Sequence, residues 1–197
     1  MKIRLIALLI AFLTLPTLAL AADKVTAAAA ATERATLLQT AGSGTNITSN
    51  KQQYQILSSV RAAEVQTGEK PQQALTRMGG GKLVEAKGSF IVFSSQQSAA
   101  SVTSVNGTSY PTAYNARTGG IGIVPGNINV KLKDSATAAA VAKTYSLDVV
   151  RVFAHLQTAF FRVKPGQDVV AAAASLAADA RVVSAEIEVI EHINAPN

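Results

Sequence analysis

Residues 127–197 read NINVKLKDSATAAAVAKTYSLDVVRVFAHLQTAFFRVKPGQDVVAAAASLAADARVVSAEIEVIEHINAPN, and the hydrophobic period of that stretch decides the fold. Ile128, Val130 and Leu132 alternate with Asn129, Lys131 and Lys133, which predicts a strand with one face buried and the other wet. Asp134 and Ser135 are N-cap types, and the alanine-rich run they open continues to about Tyr145 without Gly or Pro. That predicts a helix. Val149–Ala154 and Thr158–Lys164 are rich in β-branched and aromatic residues, and only His155–Gln157 separate them, so they read as a hairpin. Pro165 and Gly166 stop its second strand. Gln167–Ala178 is a second alanine-rich helix with Asp168 in its first turn, where negative charge suits the helix dipole. After a turn at Asp179–Arg181, Val183, Ala185, Ile187 and Val189 alternate with Ser184, Glu186 and Glu188, so the last strand is also half-buried.

Strand, helix, strand, strand, helix, strand is the order of a ferredoxin-like βαββαβ sheet. Right-handed crossovers put both helices on one face and leave the other bare. By the alternation, the bare face carries Arg151, Phe153, Phe160, Arg162, Val182, Glu186 and Glu188, although the strand holding Arg151 could equally be phased the other way. Two exposed phenylalanines flanked by charges have the character of an interface centre. The alternative is that Phe153 and Phe160 cover one end of the core.

At the other end, Met1–Ala21 has the form of a signal peptide: Lys2 and Arg4, an apolar run from Leu5 to Leu15, and small residues at Ala19-Leu20-Ala21. A retained anchor is the alternative, but the run is short for a span. An exported chain, periplasmic or secreted, is expected. Without its leader it carries 16 basic and 12 acidic residues, a net +4. The excess lies in residues 22–120, scattered singly and almost without aromatic neighbours, which argues against a nucleic-acid surface. No cysteine is present, which excludes thiolate metal sites and cysteine nucleophiles.

Residues 22–50 are alanine-rich and read as partly helical or disordered. Residues 51–124 read as a small N-terminal domain of α+β or mostly β character. Within it, Tyr54, Leu57, Val60/Arg61 and Glu64/Val65 stand at helical spacing. Leu83–Ala86 and Ser89–Ser95 flank Lys87-Gly88 as two short strands. Gln96–Ser109 is polar and aromatic-free, as in a loop. SYPTAYNARTGGIGIV, residues 109–124, reads as strand, turn, strand. Residues 125–190 then form the ferredoxin-like domain, and 191–197 an extended tail in which Pro196 cannot continue a ladder.

No catalytic constellation emerges. His155 and His192 lack a second imidazole or carboxylate at ligand spacing. No G-x-S-x-G surrounds a serine. Gly79–Lys82 and Gly119–Gly122 lack the strand-to-helix context of a phosphate loop. Glu186 and Glu188, on one side of one strand, fit a solvated face as well as a catalytic pair. A binding protein without cofactor or metal is expected.

The ordered pieces Val130–Lys133, Leu147–Val152, Val163–Gly166, Ala178–Val183 and Ala185-Glu186 resemble the propeptide domains of subtilisin-like serine proteases. The family usually has Gly where Ser146 stands and Pro where Ala180 stands. Tyr110–Val124, with its Y-P-x-x-x-N-x-x-T-G-x-I-G-x-V spacing, and the domain order are similar to the external chaperones that accompany Aeromonas-type serine proteases, which are kexin-like subtilases. With the propeptide-like domain read as the last of the chain and a separate protease expected, the resemblance implies a chaperone and inhibitor acting on another polypeptide. It implies docking through the bare face and occupation of the active-site cleft by the tail. Ile193, Asn194, Ala195, Pro196 and Asn197 would enter the cleft, with Asn197 nearest the nucleophile. An envelope adaptor or scaffolding protein with no protease partner is the reading from another class.

Overall fold

The computed structural model describes residues 44–95 and 108–192, together with 35, 36 and 38. Met1–Ala21, read as a signal peptide, most of segment 22–50, the polar stretch 96–107, read as a loop, and Ile193–Asn197, read as the tail, lie outside the described residues. The fold is mixed α+β, with two antiparallel sheets and few helices among the described residues. In chain order the strands are β1 (Asn46–Ser49), β2 (Gln52–Glu64), β3 (Leu83–Lys87), β4 (Phe90–Ser94), β5 (Ser109–Asn115), β6 (Gly120–Ile123), β7 (Asn127–Leu132), β8 (Asp148–Phe153), β9 (Thr158–Arg162) and β10 (Val182–Ile187). The α-helices are α1 (Pro71–Arg77), α2 (Ala138–Thr144) and α3 (Val169–Ala177).

The C-terminal sheet has the strand order β10-β7-β9-β8, with every neighbouring pair antiparallel. Its helices start where the sequence puts caps. Asp134 accepts from Ala136 N at 2.9 Å and opens a short 3-10 turn that leads into α2. Asp168 accepts from Val170 N and Ala171 N at the head of α3, satisfying donors that the first turn leaves unpaired. At the end of α2, Ser146 adopts φ 55°, a left-handed position where glycine is the strain-free choice. Ile128, Val130, Leu132, Ala159 and Phe161 are fully buried and form one cluster with Val141 of α2 and Leu176 of α3. Both helices therefore cover the same face of the sheet.

Residues 51–65, read from their spacing as a helix, are instead the long strand β2. β1 and β4 pair along one edge of β2, and β5 pairs along the other. The pairing with β5 breaks between Leu57 and Arg61. Thr112 Oγ1 donates to Val60 O at 2.8 Å within the break. Such a bulge shifts the phase of the strand, and a strand covered on both faces shows no clean period of two. Tyr54, Leu57, Val60 and Arg61 thereby mimic helical spacing while all are buried in a sheet. Arg61 is wholly buried. Its Nε donates to Ser109 Oγ at 2.9 Å and its Nη2 to Ser109 O at 2.8 Å, and burial lowers its pKa to about 10.

From Thr36 onward the described residues form one compact unit. Ile47, Tyr54, Ile56, Ala113 and Val124 from the first sheet join the same buried cluster as Ile128, Phe161 and Leu176. The two sheets thus share a core, and β1, from a segment read as helical or disordered, contributes Ile47 to it. Truncating Phe161 to Ala should lower the unfolding free energy by about 3–5 kcal/mol, read from chemical denaturation. Because the core is shared, both sheets should still unfold in one transition.

Candidate functional site

The uncovered face of the C-terminal sheet is organised in rows across the strands. Register pairs Arg151 with Phe160, Phe160 with Asn129, and Asn129 with Glu186. A parallel row runs from Phe153 through Thr158 and Lys131 to Ser184. In the third, Arg162 Nε donates to Asn127 Oδ1 at 2.9 Å and Asn127 Nδ2 donates to Glu188 Oε2 at 2.7 Å. Phe153 and Phe160 meet edge-to-face, with centroids 5.8 Å apart. The Arg151 guanidinium lies 5.5 Å from the Phe153 ring centroid, within cation–π range. Both rings are half-buried, while Arg151, Arg162 and Glu186 are exposed. Phe153, Phe160, Arg151, Arg162, Glu186 and Glu188 therefore share one surface.

Val182, expected on this face, belongs to the core and is 7% exposed. A register shift between Val182 and Ser184 inserts Val183 as an extra residue, so Val182 turns inward opposite Leu132 and Val183 is left 58% exposed. A second shift between Val149 and Arg151 does the same in β8. It fixes the phase left open by the sequence, with Arg151 and Phe153 on the uncovered side.

The tail does not begin at Glu191 as expected. Beyond β10, the chain is fastened to the first sheet. Ile190 and Ile123 exchange both backbone hydrogen bonds at 2.9 Å. Val189 is buried in the common core. The Glu191 carboxylate accepts from Tyr54 Oη at 3.0 Å, from Asn115 Nδ2 at 3.1 Å and from Thr118 Oγ1. Lys87 Nζ donates to Glu191 O at 3.0 Å and to Ile121 O. Burial works to raise the Glu191 pKa, but hydrogen bonds from Thr118, Tyr54 and Asn115 outweigh it and hold the carboxyl below its usual value. Burial and the bond to Glu191 push Tyr54 up. Sequence reasoning missed this socket, although Asn115, Thr118 and Gly122 are fixed positions of the spacing quoted for Tyr110–Val124.

Among the described residues no group of three or more His, Asp or Glu could hold a metal ion, and no helix is long and apolar enough to cross a membrane. Residues 26–196 match the family described as the Open reading frame 2 N-terminal domain. The chain belongs to this family. The match takes in both sheets, in agreement with the resemblance read from the sequence. A solved structure described as the Aeromonas sobria serine protease (ASP) and chaperone (ORF2) complex contains a chain that is 25% identical, with a TM-score of 0.37. The likeness covers 49% of this chain and 100% of that one. No curated protein matches.

The Glu191 socket carries a pH signature. A carboxyl held below its usual value stabilises the fold above its unfolded pKa of about 4.3 and loses that contribution as pH falls through the folded value. The stability difference between wild type and Glu191→Gln should therefore be largest near neutral pH and shrink toward about pH 3. Thermal unfolding of both proteins across that range checks the sign.

Proposed function

We propose that this chain is a non-catalytic intermolecular chaperone and inhibitor of a subtilisin-like or kexin-like serine protease, working in the periplasm or after secretion. Its C-terminal unit acts as a ferredoxin-like module of propeptide type. It docks through the uncovered sheet face and passes Ile193–Asn197 into the substrate cleft. The strand order β10-β7-β9-β8, with both helices on one side, supports the module. The observation that carries the docking reading is the row Arg151, Phe160, Asn129, Glu186 beside the Phe153–Phe160 pair. An apolar centre rimmed by charges of both signs is how a protein-binding surface is built. The partner class is supported by designation: the family is that of open reading frame 2, and the solved complex is described as a serine protease with the chaperone ORF2.

Titration of the protein against a subtilisin-like and a chymotrypsin-fold protease tests the reading. Inhibition at low molar ratio is expected for the first enzyme only, and equal potency on both would overturn it. Phe160→Ala and Glu186→Arg should each weaken the complex, by about 2 kcal/mol or more for the aromatic, while cooperative unfolding is retained. Deleting Ile193–Asn197 should abolish or greatly weaken inhibition and leave the fold intact. Full inhibition by the truncated protein would remove the tail from the mechanism.

A further inference from the structure

β10 closes the four-stranded sheet at Ile187, yet the following residues are held by a different sheet. Glu188 N donates to Asn127 O, and Ile190 pairs with Ile123 through both backbone groups. Glu191 is then held in a socket built from four places in the chain: its carboxylate by Tyr54 on β2, Asn115 at the end of β5 and Thr118 in the turn before β6, and its backbone carbonyl by Lys87 at the end of β3. The socket is shaped as well as charged. A Cβ at Gly120 would collide with the Glu191 carboxylate, and one at Gly122 would collide with Val189. Asn115 is aimed by its own turn, because its Oδ1 accepts from Arg117 N at 3.0 Å and Thr118 N at 3.3 Å. That leaves Nδ2 to bond Gln52 Oε1 at 2.7 Å and Glu191 Oε2.

We infer that this socket is a positioning clamp, through which the first sheet sets where and in what direction the inhibitory segment leaves the domain. The inference rests on the docking function proposed above. His192, the last described residue, lies one residue past the clamped Glu191, so the clamp fixes that point relative to the sheet face. Fixing that point removes part of the ordering cost of placing the segment in a cleft. The segment and the sheet face then act as two linked contacts with a high effective concentration of one once the other is made. Asn115 and Thr118 are positioning residues in this scheme, acting through Glu191 without touching the partner, and Gly120 and Gly122 leave the room that the strap needs.

The full-length protein and its variants Glu191→Ala, Glu191→Gln and Thr118→Val provide the test, against one subtilisin-type protease used active and with its serine blocked by a sulfonyl fluoride. Binding to the blocked enzyme reads docking through the sheet face, and inhibition of the active enzyme adds the segment. Glu191→Ala should raise the inhibition constant about tenfold or more and leave binding to the blocked enzyme within about twofold. Glu191→Gln, which keeps an acceptor, should recover part of the loss. Thr118→Val, at an exposed position, should shift inhibition in the same direction with Glu191 intact. In the free protein, Glu191→Ala should speed hydrogen exchange at the Ile190 amide while β7 and β9 amides stay protected. Inhibition by Glu191→Ala and Thr118→Val equal to wild type, or unchanged exchange at Ile190, would overturn the clamp. Failure of the wild type to bind either enzyme would overturn the docking function and the positioning role with it, while the exchange data would still show whether Glu191 holds the strap.

Discussion

Burial of one side of β7 is the constraint on which the rest of the structure depends. Ile128, Val130 and Leu132 are fully buried, and β7 is hydrogen-bonded to β10 on one side and β9 on the other. Covering these three residues takes α2 and α3, and both helices must approach from the same side. The other side of β7 carries Asn129 and Lys131, both exposed, and register forces the outward residues of β8, β9 and β10 into line with them. The aromatic pair Phe153–Phe160 is therefore displayed because the core side of the sheet is already filled. The same strand follows β6 after only Val124–Gly126. Val124 is fully buried in the cluster that includes Ile128, so burial of β7 also ties the two sheets together.

Much of the C-terminal unit was legible because its signals are local and agree with one another. Asp134 and Asp168 announce helix starts, and the runs they open lack breakers. The Pro165-Gly166 stop falls just after β9. The phase of β8 and of Val182 was not legible, because each depends on an extra residue, Val150 in one strand and Val183 in the other. A bulge is set by pairing partners far away in sequence. The misreading of residues 51–65 has a related cause. β2 buries residues on both faces and is bent at its break with β5, so its apolar positions fall three and four apart for tertiary reasons. Glu191 escaped notice for a third reason. As the first residue of a polar terminus it gave no local sign of the hydroxyl and amide donors that Tyr54, Asn115 and Thr118 supply from 137, 76 and 73 residues away.

The edge strand β8 shows how local defects can serve the surface. Val149, Val150 and Val152 are 44%, 48% and 39% exposed, and an unpaired apolar edge invites pairing with other chains. Asp148 and Arg151 place charges of both signs within the same six residues. The shift at Val150 also interrupts the flat ladder another strand would need. Thr158 and Phe160 of β9, one strand inward, follow the regular register with β7, so irregularity is confined to the rim while the centre of the uncovered face stays regular.

In the proposed role, a clamped exit and a regular sheet face would answer the same physical problem from two directions. A partner that must be recognised by a surface and by a strand-like segment loses affinity if the two are free to move relative to each other, since each added degree of freedom is lost again on binding. The hydrogen bonds that fix Glu191 are made inside the folded chain, before any partner arrives. Their donors come from a sheet whose core is continuous with that of the four-stranded sheet, so the socket and the uncovered face cannot shift independently without opening buried contacts. Burial alone would favour a neutral Glu191, and three hydrogen bonds to one carboxylate reverse that preference. The charge is thus held by geometry that exists only when both sheets are folded together. The first sheet, which contributes no residue to the uncovered face, is in this way coupled to the position of that face.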